Sequence, residues 1–585
     1  MKNTVCVACA ATLTLLGSMA IASAGEPASQ PAGAASTDWL QYRGPTRDGI
    51  APPGPKLLDS WPKEGPPLLW KSEPLWPKKG GIKANNSHSG CGSISIAGGR
   101  AFVFANFRRN TGKEGKAVLS TKDLNDLGWM EGVPSDLAKK VEEERIHGKG
   151  AKLPPGPELD AYAAQYVAGF DPELAKKFGP WIERRLKKEP VPASFAPTRF
   201  SRLLEPGGNT ALNGDPLFEW SFLEKLAAIR DKEFSTIEEL DKQFGGDLNN
   251  SWGSRSGNAI RVLLTNRCNS YFDAIICLDA ATGKELWRQE LPGSISPYAD
   301  LDVGASGTPA VSDGKCYVAG SAGMYCLSVT DGTVIWQAKT GFTYSSPLVT
   351  NGVVYCLVPE ATAYDAKTGQ VLWRLPSLTH AYSSFAQWTN GGKDYLITVI
   401  NAGVYDVPQG GLYCLDPANG KALWHTWCMS CSLPVMVGAG TMVVNAAAFK
   451  ITPDKIEPLW KGETGSRGGS PVVFRDSIYI SEGCHSADAV RCLDLKTGKV
   501  NWNPHRFCGE SSSPVLADGK IIALPEEDEG NLSVVMFRAT PEKFEELGRF
   551  NPHAGPGASP AIVGGKLYLR LQDGLACYDL RAEGK

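Results

Sequence analysis

The sequence predicts an all-β protein: an eight-bladed β-propeller of four-stranded blades, closed by an N-terminal strand, with a mainly helical insertion in the first blade. Three observations predict it. A turn-and-tryptophan motif recurs five times at similar spacing, short hairpin turns punctuate the chain eight times, and the two ends of the chain complement one another.

The motif is plainest over residues 277–287. Cys277 and Leu278 end one strand, and Glu285, Leu286 and Trp287 start the next. Gly283 supplies the positive φ that the turn between them needs, and the Asp279 carboxylate can accept turn amides. Further copies run from Cys326 to Trp336, from Tyr364 through Asp365 and Gly369 to Trp373, and from Cys414 through Asp416 and Gly420 to Trp424. The last runs from Cys492 through Asp494 and Gly498 to Trp502. One period holds four short antiparallel strands in about forty residues, the size of a propeller blade.

First-hairpin turns fall at 98–99, 313–314, 351–352, 391–392, 439–440, 475–476, 518–519 and 564–565. Fourth strands end at Trp287, Trp336, Trp373, Trp424, Trp460, Trp502, near Phe550, and at Trp70. Both series number eight. Residues 66–70 read as a fourth strand without its sheet, and 575–579 as a third strand with no closing Trp. The N-terminal strand therefore completes the last sheet, and the closed ring leaves no open end.

Blade one is interrupted. Its opening strands are 93–97 and 100–107, yet its third begins only near Asp273. Between them, 134–147 and 171–189 have helical patterns, the second with Asp171 as N-cap and Pro172 at the first position. Ser235 and Glu238 form a capping box, and Gly245-Gly246 stops that helix. The helix after Asp171 sets Phe178, Trp181 and Ile182 against Lys176, Lys177, Arg184, Arg185, Lys187 and Lys188. That pattern suits a helix docking its apolar side on the propeller and showing a basic side outward. The organisation that follows is a signal peptide over 1–24, a flexible linker over 25–37, and a closing strand with the start of blade one over 38–107. A largely helical insertion then spans 108–258, and the rest of the propeller 259–585.

At 585 residues, 42% hydrophobic and 21% charged, the chain can bury a large core. A net charge of −2 gives no case for nucleic acid or an anionic membrane surface. Lys2, an apolar run over 5–21 and Ala22-Ser23-Ala24 fit an export signal cleaved near Ala24. The mature protein is expected to be periplasmic or secreted, with no integral membrane segment. Cys277, Cys326, Cys414, Cys492 and Cys577 share one strand position, where a small buried hydrophobe serves. Cys428 and Cys431 form the CxxC of the mature chain, without the His of a haem site or a second pair for zinc. A local disulfide and two packed thiols both remain open.

Candidate chemistry gathers where loops meet a channel mouth. Glu482, Cys484 and His485 follow one second strand, while His380 and Tyr382 precede a first strand. Glu526, Glu527 and Asp528 could offer oxygens to a hard cation. Each has a plainer reading as a packed turn or a solvated acidic loop. Ser345-Ser346, Ser383-Ser384, Ser470 and Ser511-Ser512-Ser513 all stand just ahead of first strands. Their recurrence argues for small residues where strands crowd the axis, and no catalytic serine is assigned.

The blades resemble the pyrroloquinoline-quinone-like (quinoprotein alcohol dehydrogenase-like) propeller repeat, with its Leu-Asp-Ala-x-Thr-Gly-x-x-x-Trp hairpin. Residues 39–49, from Trp39 through Arg43-Gly44-Pro45 to Gly49, are similar to the opening motif of a secreted subgroup from planctomycete-type bacteria. The repeat is shared by quinone-dependent dehydrogenases and by non-enzymatic relatives, including the propeller lipoprotein of outer-membrane β-barrel assembly. The dehydrogenases' adjacent cysteine pair and a haem CxxCH are missing here, and their calcium-ligand motifs are not found. The expected role is an exported binding or scaffold module whose partner is a protein or cell-envelope component, not nucleic acid. The alternatives are a PQQ- and calcium-dependent oxidoreductase of the alcohol or sugar dehydrogenase type and, from the 16 Trp, a carbohydrate-binding propeller.

Overall fold

A computed structural model describes residues 37–582 apart from 77–81, 85–89, 111–117, 154–155, 188–218, 234–241, 243–268, 294–306, 342, 359, 380–382, 401–410, 429, 431, 463–468, 482–489, 506, 508–511, 529–530 and 556. The leader, the linker and the Ser235 capping box lie outside these residues.

Eight antiparallel sheets follow one another along the chain. Blade two is the plain case: Ala310–Ser312, Lys315–Ala319, Gly323–Ser328 and Val334–Lys339 pair in that order. The first strands of the other blades are Ser95–Ala97, Leu348–Thr350, Ala386–Asn390, Val435–Val437, Val472–Phe474, Val515–Ala517 and Ala561–Val563. These short first strands are neighbours between blades one and two, two and three, five and six, seven and eight, and eight and one. Blade eight is completed by Leu68–Lys71, which pairs with Leu575–Asp579 and sets Trp70 opposite Cys577. The expected closure and blade count are both present.

The repeat turn explains how blades dock. Asp279 Oδ1 accepts from the Ala281 and Thr282 amides (3.0 and 2.8 Å) and from Thr282 Oγ1 (2.8 Å), and Asp365 and Asp494 do the same in their own turns. Gly283, Gly369, Gly420 and Gly498 take φ of 73, 74, 73 and 71°. Each also lies flat against the tryptophan of the preceding blade, so that a Cβ on Gly283 would sit 2.3 Å from the Trp70 ring. The indole then donates to a carbonyl of that turn: Trp70 Nε1 to Ala280 O (3.1 Å), Trp336 to Ala366 O (3.0 Å), and Trp460 to Leu495 O (2.8 Å). Tryptophan and glycine are thus two halves of one inter-blade joint.

Two elements were not foreseen. Ile82–Ala84 adds a fifth strand to blade one by pairing with Arg100–Asn110. Glu526–Asp528, expected as an acidic loop, is instead a strand of a small hairpin with Asn531–Leu532 between the second and third strands of blade seven.

The insertion holds α1 (Thr121–Asp126), α2 (Ser135–His147), α3 (Pro157–Ala168), α4 (Pro172–Leu186) and α5 (Trp220–Ala227). Asp171 caps α4 as expected, accepting from the Glu173 amide. The docking expected of α4 is corrected. Phe178, Trp181, Ile182 and Leu186 pack with Leu124, Leu137, Val141, Trp220 and Leu223, all within the insertion. Its apolar stripe builds a separate small core because four other amphipathic helices offer matching faces. The basic side is also largely consumed. Arg185 and Arg145 both pair with buried Glu142 (2.7 and 2.5 Å), Arg184 donates to Asn125 O and Asp126 O, and Lys187 pairs with Glu183. Lys176 and Lys177 stay exposed.

Candidate functional site

The serines ahead of the first strands form a circular relay. The Ser93 amide donates to Thr308 Oγ1 (3.0 Å), Thr308 to Ser346 Oγ (3.0 Å), and Ser346 to Ser384 Oγ (2.9 Å). Leu433 donates to Ser470 Oγ (2.8 Å), Ser470 to Ser513 Oγ (2.9 Å), Ser513 to Ser559 Oγ (2.9 Å), and Ser559 back to Ser93 Oγ (2.9 Å). All eight positions are buried. Residue size alone, as expected from the sequence, misses this role: each hydroxyl satisfies a buried amide of its neighbour. One link is missing, because Leu433 carries no hydroxyl.

Into this ring runs the segment that follows Asp38. Trp39 pairs with Ile96 of blade one, and the Val311 amide of blade two donates to Leu40 O (2.8 Å). Tyr42 Oη meets Ser513 Oγ of the relay at 3.0 Å. Arg43 and Arg47 take φ of 64 and 60°, and their guanidinium groups leave in different directions. Arg47 donates to Pro347 O (2.7 Å) and Ser346 O (3.3 Å) of blade three. Arg43 donates to Ser470 O and Pro471 O (2.5 Å) of blade six, and to Asp48 O (2.6 Å). The loop then leaves along Leu516 of blade seven. Contacts with blades two and three and with blades six and seven place the loop across the axis. Burial lowers both arginines to about 10, so both remain cationic at neutral pH. Sequence reasoning treated residues 39–49 as an opening motif only. Two arginines four apart, each close to a glycine turn, were the signal of a loop built to reach two walls.

The sequence-derived candidates do not gather into one site here. Glu482, Cys484, His485, His380 and Tyr382 lie outside the described residues. Glu526 is half-buried, and Glu527 and Asp528 continue its strand. Cys277, Cys326, Cys414, Cys492 and Cys577 are buried free thiols whose pKa values burial pushes up. Cys428 is half-buried, and Cys431 lies outside the described residues.

Among the described residues, no group of three or more His, Cys, Asp and Glu side chains could hold a metal ion. A buried carboxylate that sequence reasoning did not single out, Asp273, is surrounded by donors: Asn106 Nδ2 (2.6 Å), Ser321 Oγ (2.7 Å) and the Ser321 amide (2.6 Å). A calcium site needs converging oxygen acceptors, and a polyanionic quinone needs free cations. The two axial arginines are committed to backbone carbonyls. No helix among them is long and apolar enough to cross a membrane.

The family model described as outer membrane protein assembly factor BamB matches residues 272–504. The assembly factor BamB of Burkholderia pseudomallei is 25% identical over 51% of this chain and 77% of its own length. A tetrathionate hydrolase of Acidithiobacillus ferrooxidans is 24% identical over 42% of this chain and 53% of its own. The dehydrogenase subunit of a quinone alcohol dehydrogenase from Gluconobacter oxydans is 22% identical over 57% and 39%. Among solved structures, BamB of Moraxella catarrhalis superposes with a TM-score of 0.40 at 13% identity, over 54% of this chain and 93% of that one. The fold is an eight-bladed β-propeller, and over residues 272–504, from the third strand of blade one through blade six, the chain resembles the assembly-factor family.

Proposed function

We propose that this protein is an exported propeller that binds or scaffolds other macromolecules of the cell envelope, with the helical insertion as its specific surface. The observation that supports this reading best is the axial loop. A chain segment anchored by Arg43 and Arg47 lies where a propeller would otherwise offer a central ligand site, which moves recognition to loops and the insertion. The insertion has its own core, the organisation of a module carried by a ring. Similarity to outer membrane assembly factors points the same way. The leader and a periplasmic or secreted location belong to this proposal.

The test replaces residues 108–258 with a short Gly-Ser linker and compares crosslinked partners of the two folded proteins in envelope fractions. Loss of defined partners supports the insertion as the surface, while an unchanged set moves binding to the propeller loops. A quinone-dependent oxidoreductase is the competing reading, since quinone dehydrogenases are among the relatives. Retention of stoichiometric quinone after incubation with calcium and desalting would favour it.

A further inference from the structure

The strand pair that carries the insertion is held at its root by one carboxylate. Asn106 lies on the strand that leads into the insertion, Arg100–Asn110, and Asp273 on the strand that returns from it, Asn269–Asp279. The two residues face one another across the ladder. Beyond them the ribbon continues through the pairs Phe107–Phe272, Arg108–Tyr271, Arg109–Ser270 and Asn110–Asn269. Asp273 also reaches outside its own blade. Its Oδ1 accepts from Asn106 Nδ2 and Ser321 Oγ, and its Oδ2 accepts from the Ser321 amide, at 2.6 to 2.7 Å. Ser321 belongs to the turn between the second and third strands of blade two. Asp273, Asn106 and Ser321 are all fully buried, and a Cβ on the adjoining Gly320 would lie 2.5 Å from Asp273 Oδ2.

We infer that Asp273, with Asn106 and Ser321, is a proton-sensitive latch fixing the root of the insertion to blade two. Among the described residues, the hydrogen bonds to the carboxylate come from neutral groups. The other titratable side chain set against it among the described residues is Tyr325, on the third strand of blade two. That phenol donates to Pro292 O (3.1 Å) and is pushed up to about 12, first by burial and then by Asp273, so it stays protonated. A buried anion with no cation beside it among the described residues is disfavoured by desolvation. Three donors offset this only in part, and burial pushes Asp273 up to about 7.

The sign follows from linkage. A carboxyl whose folded pKa exceeds its value in the opened chain favours the closed form fully at low pH. It loses that contribution as the pH rises through the folded value. The latch is therefore closed in acid and weakens through neutrality, the reverse of a salt-bridged aspartate.

The experiment is amide hydrogen exchange by mass spectrometry on the full chain at pH 6 and pH 8, corrected for intrinsic exchange. Peptides covering 100–110 and 269–279 should lose about tenfold in protection between the two, given a group shifted from its ordinary value to about 7. Peptides of blade five should not change. Asp273→Asn should abolish the difference. Ser321→Ala removes a donor to the anion and keeps the carboxyl, so it should deepen the loss, and it serves if Asp273→Asn fails to fold. Protection that is equal at both pH values, a loss that persists in Asp273→Asn, or a Ser321→Ala loss no larger than the parent's would overturn the latch.

Discussion

Gly352 and Gly369 belong to the same blade and both adopt φ of 74°, yet a methyl group would meet different surroundings. At Gly352 nothing lies within 4 Å, whereas at Gly369 a Cβ would fall 2.6 Å from the Trp336 ring. Gly352→Ala should therefore cost only the left-handed penalty, about 1 kcal/mol. Gly369→Ala should cost about 3 kcal/mol or more, because the indole must leave its slot and its bond to Ala366 O. Chemical denaturation of the two variants checks this, and equal losses would show that the tryptophan joint carries no load. The pair also shows what could be read from sequence. The turn required glycine at Gly369, and that was legible from Asp365 and the spacing to Trp373. The second requirement comes from Trp336 of the preceding blade, and no local pattern carries it. The same holds for Ser346 and Ser513, whose recurrence was visible while their partners, one blade away, were not.

At the level of elements, α4 shows how amphipathicity specifies a buried face but not what covers it. Phe178, Trp181 and Ile182 were readable as one stripe, and the missing information was which surface they meet. Arg185 could not be told from Lys176 by pattern, yet one is buried against Glu142 and the other is exposed. Glu142 takes both Arg145 and Arg185, and these contacts hold its carboxyl below the usual range despite burial. Removing Glu142 strands buried Arg185 and half-buried Arg145, at a cost of about 3–5 kcal/mol. Glu142→Ala should therefore unfold the insertion while the ring keeps its own transition. Limited proteolysis should show cleavage confined to residues 118–233, with the propeller fragments still associated. Simultaneous loss of both regions would mean that the insertion core is not independent.

For the whole molecule, the ring, its closing strand and its eight blades followed from counting turns and tryptophans. The axial loop did not, because a propeller's centre is defined only once every blade is in place. Arg43 and Arg47 connect blades six and three by way of carbonyls that any sequence supplies. The hydroxyl relay adds a property of its own. Each amide donates in one rotational sense, so the bonds form a loop of aligned dipoles with a single interruption, between Ser384 and Leu433. An endless chain has no preferred place to part, but one with a missing link has two ends. The chemical seam, where Leu68–Lys71 closes blade eight, thus need not be the mechanical one. Breathing should begin between blades four and five, and amides of Val435–Val437 should exchange sooner than those of Ala561–Val563. Faster exchange in blade eight would return the weak point to the strand closure. If the order holds, the fold resembles a split washer whose gap is kept at a fixed bearing, and any cargo that has to spread the ring would enter there.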